Sequence, residues 1–338
     1  MTEHDMIDGA ADRERPAPVG GPAPKADFST SFGAGCDIKS VMPKRRVETL
    51  GKTISGICIA VMVILVLSLI FMVAQKGLAT FLSDGVSPLA FLTGTRWSPN
   101  SVDETTGLPY LGSLPMIVGS FSVSLLAVLI ALPVSLCCAI FVSEIAPGFG
   151  RKVFQPFIEL LVGIPSVVYG LIGLTVIVSF TRSFAGGTGY GIFSGSIVLA
   201  LMIMPTITSL SIDALAAVPQ DYREGAYGLG STRWQTIYRV VLRSALPALG
   251  TAVILGLTRA FGEALAVQMV IGNAALMPTG LFTPASTLTS VLTMGMGNTV
   301  SGTVQNDALW TLAMLLMIMS LVFIAIIHLI GHKSTVKA

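Results

Sequence analysis

Charge is scarce in this chain. Only 11% of its 338 residues are Asp, Glu, Lys or Arg, against roughly 25% in an ordinary soluble domain, so a water-facing globular surface cannot be assembled from it. Histidine numbers 3, and no H-E-x-x-H, Ser/His or Cys/His set appears; a membrane-embedded enzyme or signalling protein therefore lacks its chemistry. The four cysteines, Cys36, Cys58, Cys137 and Cys138, show no C-x-x-C spacing. Neither a disulfide framework nor a metal site is expected, and the thiols are read as small apolar side chains. No G-x-x-x-x-G-K-[ST] run is present, which excludes nucleotide binding of that kind.

What the chain has in abundance is apolar sequence: 53% hydrophobic residues and a mean hydropathy of +0.80. Six runs are long enough to cross about 30 Å of hydrocarbon: Ser55–Ala74, Pro115–Phe141, Phe157–Phe180, Phe193–Ala216, Ala245–Ile271 and Ala308–Ile330. Lipid offers no partner for backbone polar groups, so these runs should be helices and the fold an all-α membrane protein with six transmembrane helices. No A-x-A-like cleavage site follows the first run, which is expected to be retained rather than removed as a signal peptide.

The basic residues choose the orientation. Lys44, Arg45, Arg46 and Lys52 precede the first run, Arg151 and Lys152 separate the second and third, Arg223, Arg233, Arg239 and Arg243 separate the fourth and fifth, and Lys333 and Lys337 follow the sixth. The opposite side holds Lys76, Arg96 and Arg182. Twelve against three predicts both termini in the cytoplasm.

Residues 1–40, with Pro16, Pro18, Pro22 and Pro24, read as a disordered cytoplasmic tail. Residues 41–74 form a basic flank and the first span, 75–114 an extracytoplasmic loop carrying G-T-R-W-S-P-N (Gly94–Asn100), and 115–332 a core of five spans. The loop from Gly272 to Asp307 has no Lys or Arg and holds an amphipathic stretch at Ser286–Met294. Loops of such length usually have work to do. Pro133, Gly163–Ile164–Pro165 and Pro205 interrupt three spans, either as plain kinks or as the lining of a pathway.

Between the fourth and fifth runs lies a polar segment of about 25 residues, Pro219–Arg243, which no bilayer accepts as a span. Pro219, Asp221 and Glu224 suit a helix start, Gly228 and Gly230 stop it, and Thr232 with Gln235 forms a capping-box pattern. Two short helices joined by a tight turn are predicted, either docking on a soluble partner or anchoring to anionic lipid, which Trp234 and the arginines also suit.

Glu224-Gly225-Ala226, Gly230 and Val240-x-Leu242 resemble the EAA loop of ABC importer permeases, with Gly225 where alanine is usual and Arg243 where proline is usual, a proline following at Pro247. Together with F-L-T-G-T-R-W-S-P (Phe91–Pro99), Glu159–Leu174 and Leu257–Asn273, the text of residues 50–332 is similar to the PstC-type permeases of phosphate-specific importers, the outer G-T-R-W-S-P favouring these over their PstA sisters. The resemblance implies a type I ABC importer permease fold and a membrane subunit that is not itself an enzyme. Implied partners are a PstA-like second permease, a PstB-like ATPase dimer under the loop Glu224, Gly225, Ala226, Gly230, Trp234 and Gln235, and a PstS-like phosphate-binding protein docking near Arg96 and Trp97. No bound cofactor, metal or nucleic acid is expected; inorganic phosphate and lipid are.

Arg259 and Glu263 stand four residues apart in the fifth run and are expected on one helix face. They either hold helices together as an ion pair or form an anion path, where an arginine fork pairs with phosphate oxygens and a carboxylate accepts the P–OH proton that sulfate lacks. Ser166, Tyr169, Thr206, Thr208 and Gln268 are candidates for the same path, or bridge packed helices. Glu159 and Asp213 either reach the interface or pair with a loop arginine, and His328 is read as interfacial in preference to a proton relay. A permease for another oxyanion such as molybdate or sulfate, or for an organic solute, and an ion-coupled secondary transporter are the competing readings.

Overall fold

The structure, a computed structural model, describes residues 41–335 apart from 103–106 and 108, with the side chains of 41–47, 100 and 327–335 outside the description. The expected tail with Cys36, and the side chain of His328, lie outside the described residues.

The first helix, α1 (Val41–Leu82), runs 42 residues, twice what a bilayer requires. Its residues up to Leu65 form a unit of their own. From Glu48 onward that unit is a lone apolar helix whose side chains are exposed, with Lys52 paired to Glu48 at 2.7 Å. An apolar helix without a buried face is what lipid solvates well.

The second unit begins at Val66. After α1 come α2 (Pro88–Thr93), a hairpin of β1 (Trp97–Val102) and β2 (Pro109–Leu111), and α3 (Leu114–Ile140), which ends in a π-helical turn, Phe141–Ile145. Then follow α4 (Pro147–Phe149), a π turn at Gly150–Phe154, α5 (Gln155–Val162), and α6 (Ser166–Ile172) joined through Gly173–Ile177 to α7 (Val178–Ala185). The rest is α8 (Ile192–Ala216), α9 (Gln220–Gly228), α10 (Arg233–Thr236), a π turn at Ile237–Val241, α11 (Leu242–Gly262), α12 (Leu265–Val270), α13 (Leu288–Met296) and α14 (Val304–Thr335). The hairpin, with Trp97 opposite Leu111, is the one sheet among the described residues, beside an isolated parallel bridge between Gly272 and Ala285.

Among the described residues six stretches are long and apolar enough to cross a membrane: Glu48–Leu82, Leu114–Ile145, Ser166–Ala185, Ile192–Ala216, Arg233–Gly262 and Val304–Ile326. Two boundaries differ from the sequence reading. The third span does not start at Phe157, because Pro165 lacks an N–H and forces Ile164 out of helical geometry; α5 therefore ends at Val162 and α6 starts afresh at Ser166. The fifth does not run on to Ile271: α11 stops at Gly262 and Glu263 is extended (φ −74°, ψ 124°). Conversely, Pro133 and Pro205 stay inside unbroken helices.

α8 is the most enclosed span. Against it α3 presents Val123, Ala127 and Ala131, and α11 and α12 present Ala260, Val267 and Ile271. The alanines let backbones approach, and hydroxyls then bridge helices: Ser196 Oγ donates to Val123 O at 3.1 Å and Ser135 Oγ to Met204 O at 3.1 Å. Small residues and such bonds are how helices associate where lipid removes the hydrophobic drive. At the hairpin end, Phe91, Leu111, Met116, Leu288, Leu309 and Leu312 make a second core. Of the thiols, Cys58 and Cys137 are exposed and only Cys138 is partly covered.

Just past α1, burial and the neighbouring Asp307 carboxylate push the Asp84 carboxyl above its ordinary 3.8. Its protonated form is the one the fold favours, so the stabilisation is complete below pH 3.8 and is lost as pH rises through the raised value. Asp84→Asn should thus raise the thermal midpoint at neutral pH, with the gain shrinking as the pH falls; a gain that persists in acid would refute the repulsion.

Candidate functional site

The polar segment folds as its caps dictate, with one revision. α9 begins after Pro219 with Asp221 in its first turn, and it closes in a Schellman turn: Ser231 N–H donates to Ala226 O at 3.1 Å and Gly230 N–H to Tyr227 O at 2.9 Å. That turn needs a left-handed residue, and Gly230 supplies φ +80°. Thr232 and Gln235 then make the capping box reciprocally, at 3.4 and 3.0 Å. The second helix, however, is not a separate short one. α10 passes through the π turn into α11, so it is the first turn of the Arg233–Gly262 span.

Of the segment's site residues, Glu224, Gly225, Gly230 and Gln235 are exposed, Trp234 is 62% exposed, and Ala226 alone is buried. Beside them Tyr222, Tyr227, Leu229 and Tyr238 are also open. An aromatic, partly charged face of this kind suits either a soluble partner or the headgroup layer.

The anchor beneath it was not visible in the sequence. Glu144, in the π turn that ends α3, accepts from Arg223 of α9 through Nη2 at 2.6 Å and Nε at 3.3 Å, and the pair is nearly buried. Arg233 donates to the Glu144 and Ile145 carbonyls at 2.5 and 3.0 Å. Arg223 and Glu144 are 79 residues apart, and the available hint was an acidic residue closing an apolar run on the side that gathers the arginines. Glu159 and Asp213 are exposed.

At mid-bundle, Arg259 and Glu263 do not share a helix face and do not pair. Helix α11 ends between them, and the two described ion pairs are elsewhere. Instead each charge sits at the half-helix end that favours it. Arg259 occupies the last turn of α11 and its Nη1 donates to Thr206 Oγ1 of α8 at 2.5 Å. Glu263 precedes α12, its Oε1 accepting from Ala266 N–H at 3.0 Å, while its carbonyl accepts from Thr289 Oγ1 at 2.9 Å. Both residues are half-buried.

The second break meets the first. Gly170 of α6 lies so close to α12 that a Cβ would stand 3.1 Å from Ala266 Cα. Tyr169 Oη donates to Leu161 O across the Gly163–Pro165 gap at 2.9 Å. Ser166 opens α6 at the same gap. Thr208 is turned into its own helix, donating to Met204 O at 2.7 Å, and Gln268 Oε1 is buried without a partner. Arg259 and Thr206 thus meet at the end of α11, Glu263 stands at the break that follows, and Tyr169 spans the break between α5 and α6, whereas Thr208 bonds within its own helix.

At the hairpin end, Arg96 is exposed with its guanidinium 4.6 Å above the Tyr110 ring, beside a cleft of about 500 Å³. Trp97 is half-buried against Phe91, ring centroids 6.4 Å apart; it is a strut of the hairpin core more than a free contact.

Comparison with known proteins identifies the family. The chain is 50% identical over 290 residues, 86% of this chain and 92% of its relative, to the probable ABC transporter permease protein YqgH of Bacillus subtilis (strain 168). It is 36% identical over 261 residues, 71% of this chain and 79% of its relative, to the phosphate transport system permease protein PstC of Pasteurella multocida (strain Pm70). A solved structure of the MetNI methionine ABC transporter matches 64% of this chain and 93% of the solved chain at 22% identity, TM-score 0.47. Residues 131–334, which hold both broken helices and the α9–α10 segment, match the binding-protein-dependent transport system inner membrane component family, and the chain belongs to that family of multi-pass ABC importer permeases.

Proposed function

We propose that this chain is the permease subunit of an ATP-driven importer that carries inorganic phosphate across the inner membrane by alternating access, with both termini cytoplasmic. The observation that carries the reading is the placing of Arg259 and Glu263 at the ends of two half-helices, each charge held by a helix end or hydroxyl and not by the other. An ion pair would quench itself. Charges kept apart leave a donor fork and an acceptor for a solute that is both anion and P–OH donor. Sulfate, lacking that proton, meets a repelling carboxylate. Relatives named as phosphate permeases at 32–36% identity over most of their length support the solute.

On this reading a second, PstA-like permease completes the pathway, a PstB-like ATPase dimer docks under α9, and a PstS-like binding protein delivers phosphate at the hairpin end near Arg96. ATP-driven closure of the dimer moves α9 and opens the path outward; hydrolysis resets it. Substitution of Glu224 on the exposed face, or Gly230→Ala, should uncouple ATP hydrolysis from uptake while the binding protein still binds phosphate. The Gly230 change costs about 1–2 kcal/mol because only its backbone is strained, open space surrounding it. Coupling that survives both changes removes α9 as the docking element.

The deciding experiment is uptake of labelled phosphate at micromolar concentration, with excess sulfate, in cells lacking other high-affinity phosphate importers. Uptake that needs this chain and ignores sulfate is expected. Uptake that persists without the chain reopens the solute, and uptake driven by an ion gradient without ATP replaces the importer reading by a secondary transporter.

A further inference from the structure

The Arg223–Glu144 contact is built beyond what a surface ion pair needs. Arg223 engages Nε–H and one Nη2–H with the two Glu144 oxygens, the other Nη2–H with Leu215 O at 3.0 Å, and an Nη1–H with Val218 O at 2.6 Å. Four of its five N–H groups are therefore committed. Leu215 lies in the last turn of α8 and Val218 just beyond its cap, where the dipole is negative. Glu144 lies at the end of α3, and Arg233, entering α10, takes the carbonyls of Glu144 and Ile145. Beneath the pair Val142, Ile212, Leu215, Val218, Val241 and Ala245 close an apolar floor. One guanidinium thus binds α9 to the ends of α3 and α8, and its neighbour Arg233 adds the start of the α10–α11 span.

We infer that Arg223 and Glu144 are positioning residues that lock α9 and the ends of α3 and α8 into one rigid body, so that displacement of α9 moves spans instead of tilting α9 alone. The inference rests on the transport reading above and names the residues that make its coupling stiff. Lysine could supply the charge at position 223 but not the fork, so the lock depends on geometry more than on net charge.

The test uses the transporter purified with its ATPase, second permease and binding protein and reconstituted in vesicles. Phosphate uptake and ATP hydrolysis are measured together for wild type, R223Q, R223K and E144Q. In complexes that co-purify intact, R223Q and R223K should raise the ATP consumed per phosphate at least tenfold, and binding-protein stimulation of hydrolysis should fall by a similar factor. E144Q keeps the backbone contacts of Arg233 and should show a smaller rise of the same sign. Uptake and hydrolysis falling in proportion, an unchanged ratio, restoration by R223K, or failure of both R223Q and E144Q to assemble would each overturn the lock and leave a folding contact or a mere charge requirement. If the wild type moves no phosphate, the solute is wrong while the lock is still read from stimulated hydrolysis. A wild type whose hydrolysis ignores the binding protein defeats both readings.

Discussion

Arg259→Gln should cut phosphate uptake about a hundredfold without dissolving the complex. Hydrogen bonds from a charged donor contribute about 3 kcal/mol at the upper end, which corresponds to about two decades in an equilibrium. Glutamine removes the charge and the fork but keeps one donor. Stability should hardly suffer, because a guanidinium inside a membrane is itself costly and no carboxylate among the described residues pairs with it. The partner it would abandon, Thr206 Oγ1, can turn to a carbonyl of its own helix, as Thr208 already does with Met204 O at 2.7 Å. Uptake is measured on complexes of verified composition, with Thr206→Ala as companion. If Thr206→Ala reproduces the full loss, the bond between the two helices is what matters and Arg259 is a structural brace. If Arg259→Gln prevents assembly, the separated-charge site is wrong.

How far the sequence alone reached can be judged at that same site. The six apolar stretches and the capping box at Thr232–Gln235 were legible because length, apolarity and local side-chain chemistry decide them. The gap at Gly163–Pro165 was legible because proline acts on its own neighbours. The gap at Glu263 was not. Gly262-Glu263-Ala264-Leu265 contains no proline, and the helix ends there through contacts with distant segments: Thr289 holds the Glu263 carbonyl, and Gly170 admits α12 against α6. A spacing of four residues therefore suggested an ion pair where the fold has two helix ends. Glu144 and Arg223 were hidden for the same reason, since a partner 79 residues away leaves no local pattern. The hairpin at Trp97 escaped notice because its two strands are short and its Pro99 and Pro109 read as loop.

Gly119→Ala should destabilise the protein by about 2–3 kcal/mol and lower uptake with it, although alanine is the better helix former by about 1 kcal/mol. Gly119 is buried in α3, and a Cβ there would lie 2.1 Å from the backbone oxygen of Ser286. No side-chain rotation relieves a clash with backbone. Nor can the Ser286 segment retreat freely. It is held on one side by Ala285 N–H to Ile271 O at 3.1 Å, and on the other by Leu288 N–H to Ser120 Oγ at 2.9 Å. Both tethers lead back to α12 and α3, so a methyl at 119 would push the segment that carries Thr289 away from the Glu263 carbonyl. The loss should therefore appear as a lower thermal midpoint in detergent and as weaker uptake per folded complex. Gly56→Ala is the control, since that glycine lies in α1 with nothing within 4 Å of its added carbon; it should leave the midpoint unchanged or slightly raised. Equal behaviour of the two variants would mean that the 285–290 segment yields, and that Glu263 is positioned by α12 alone.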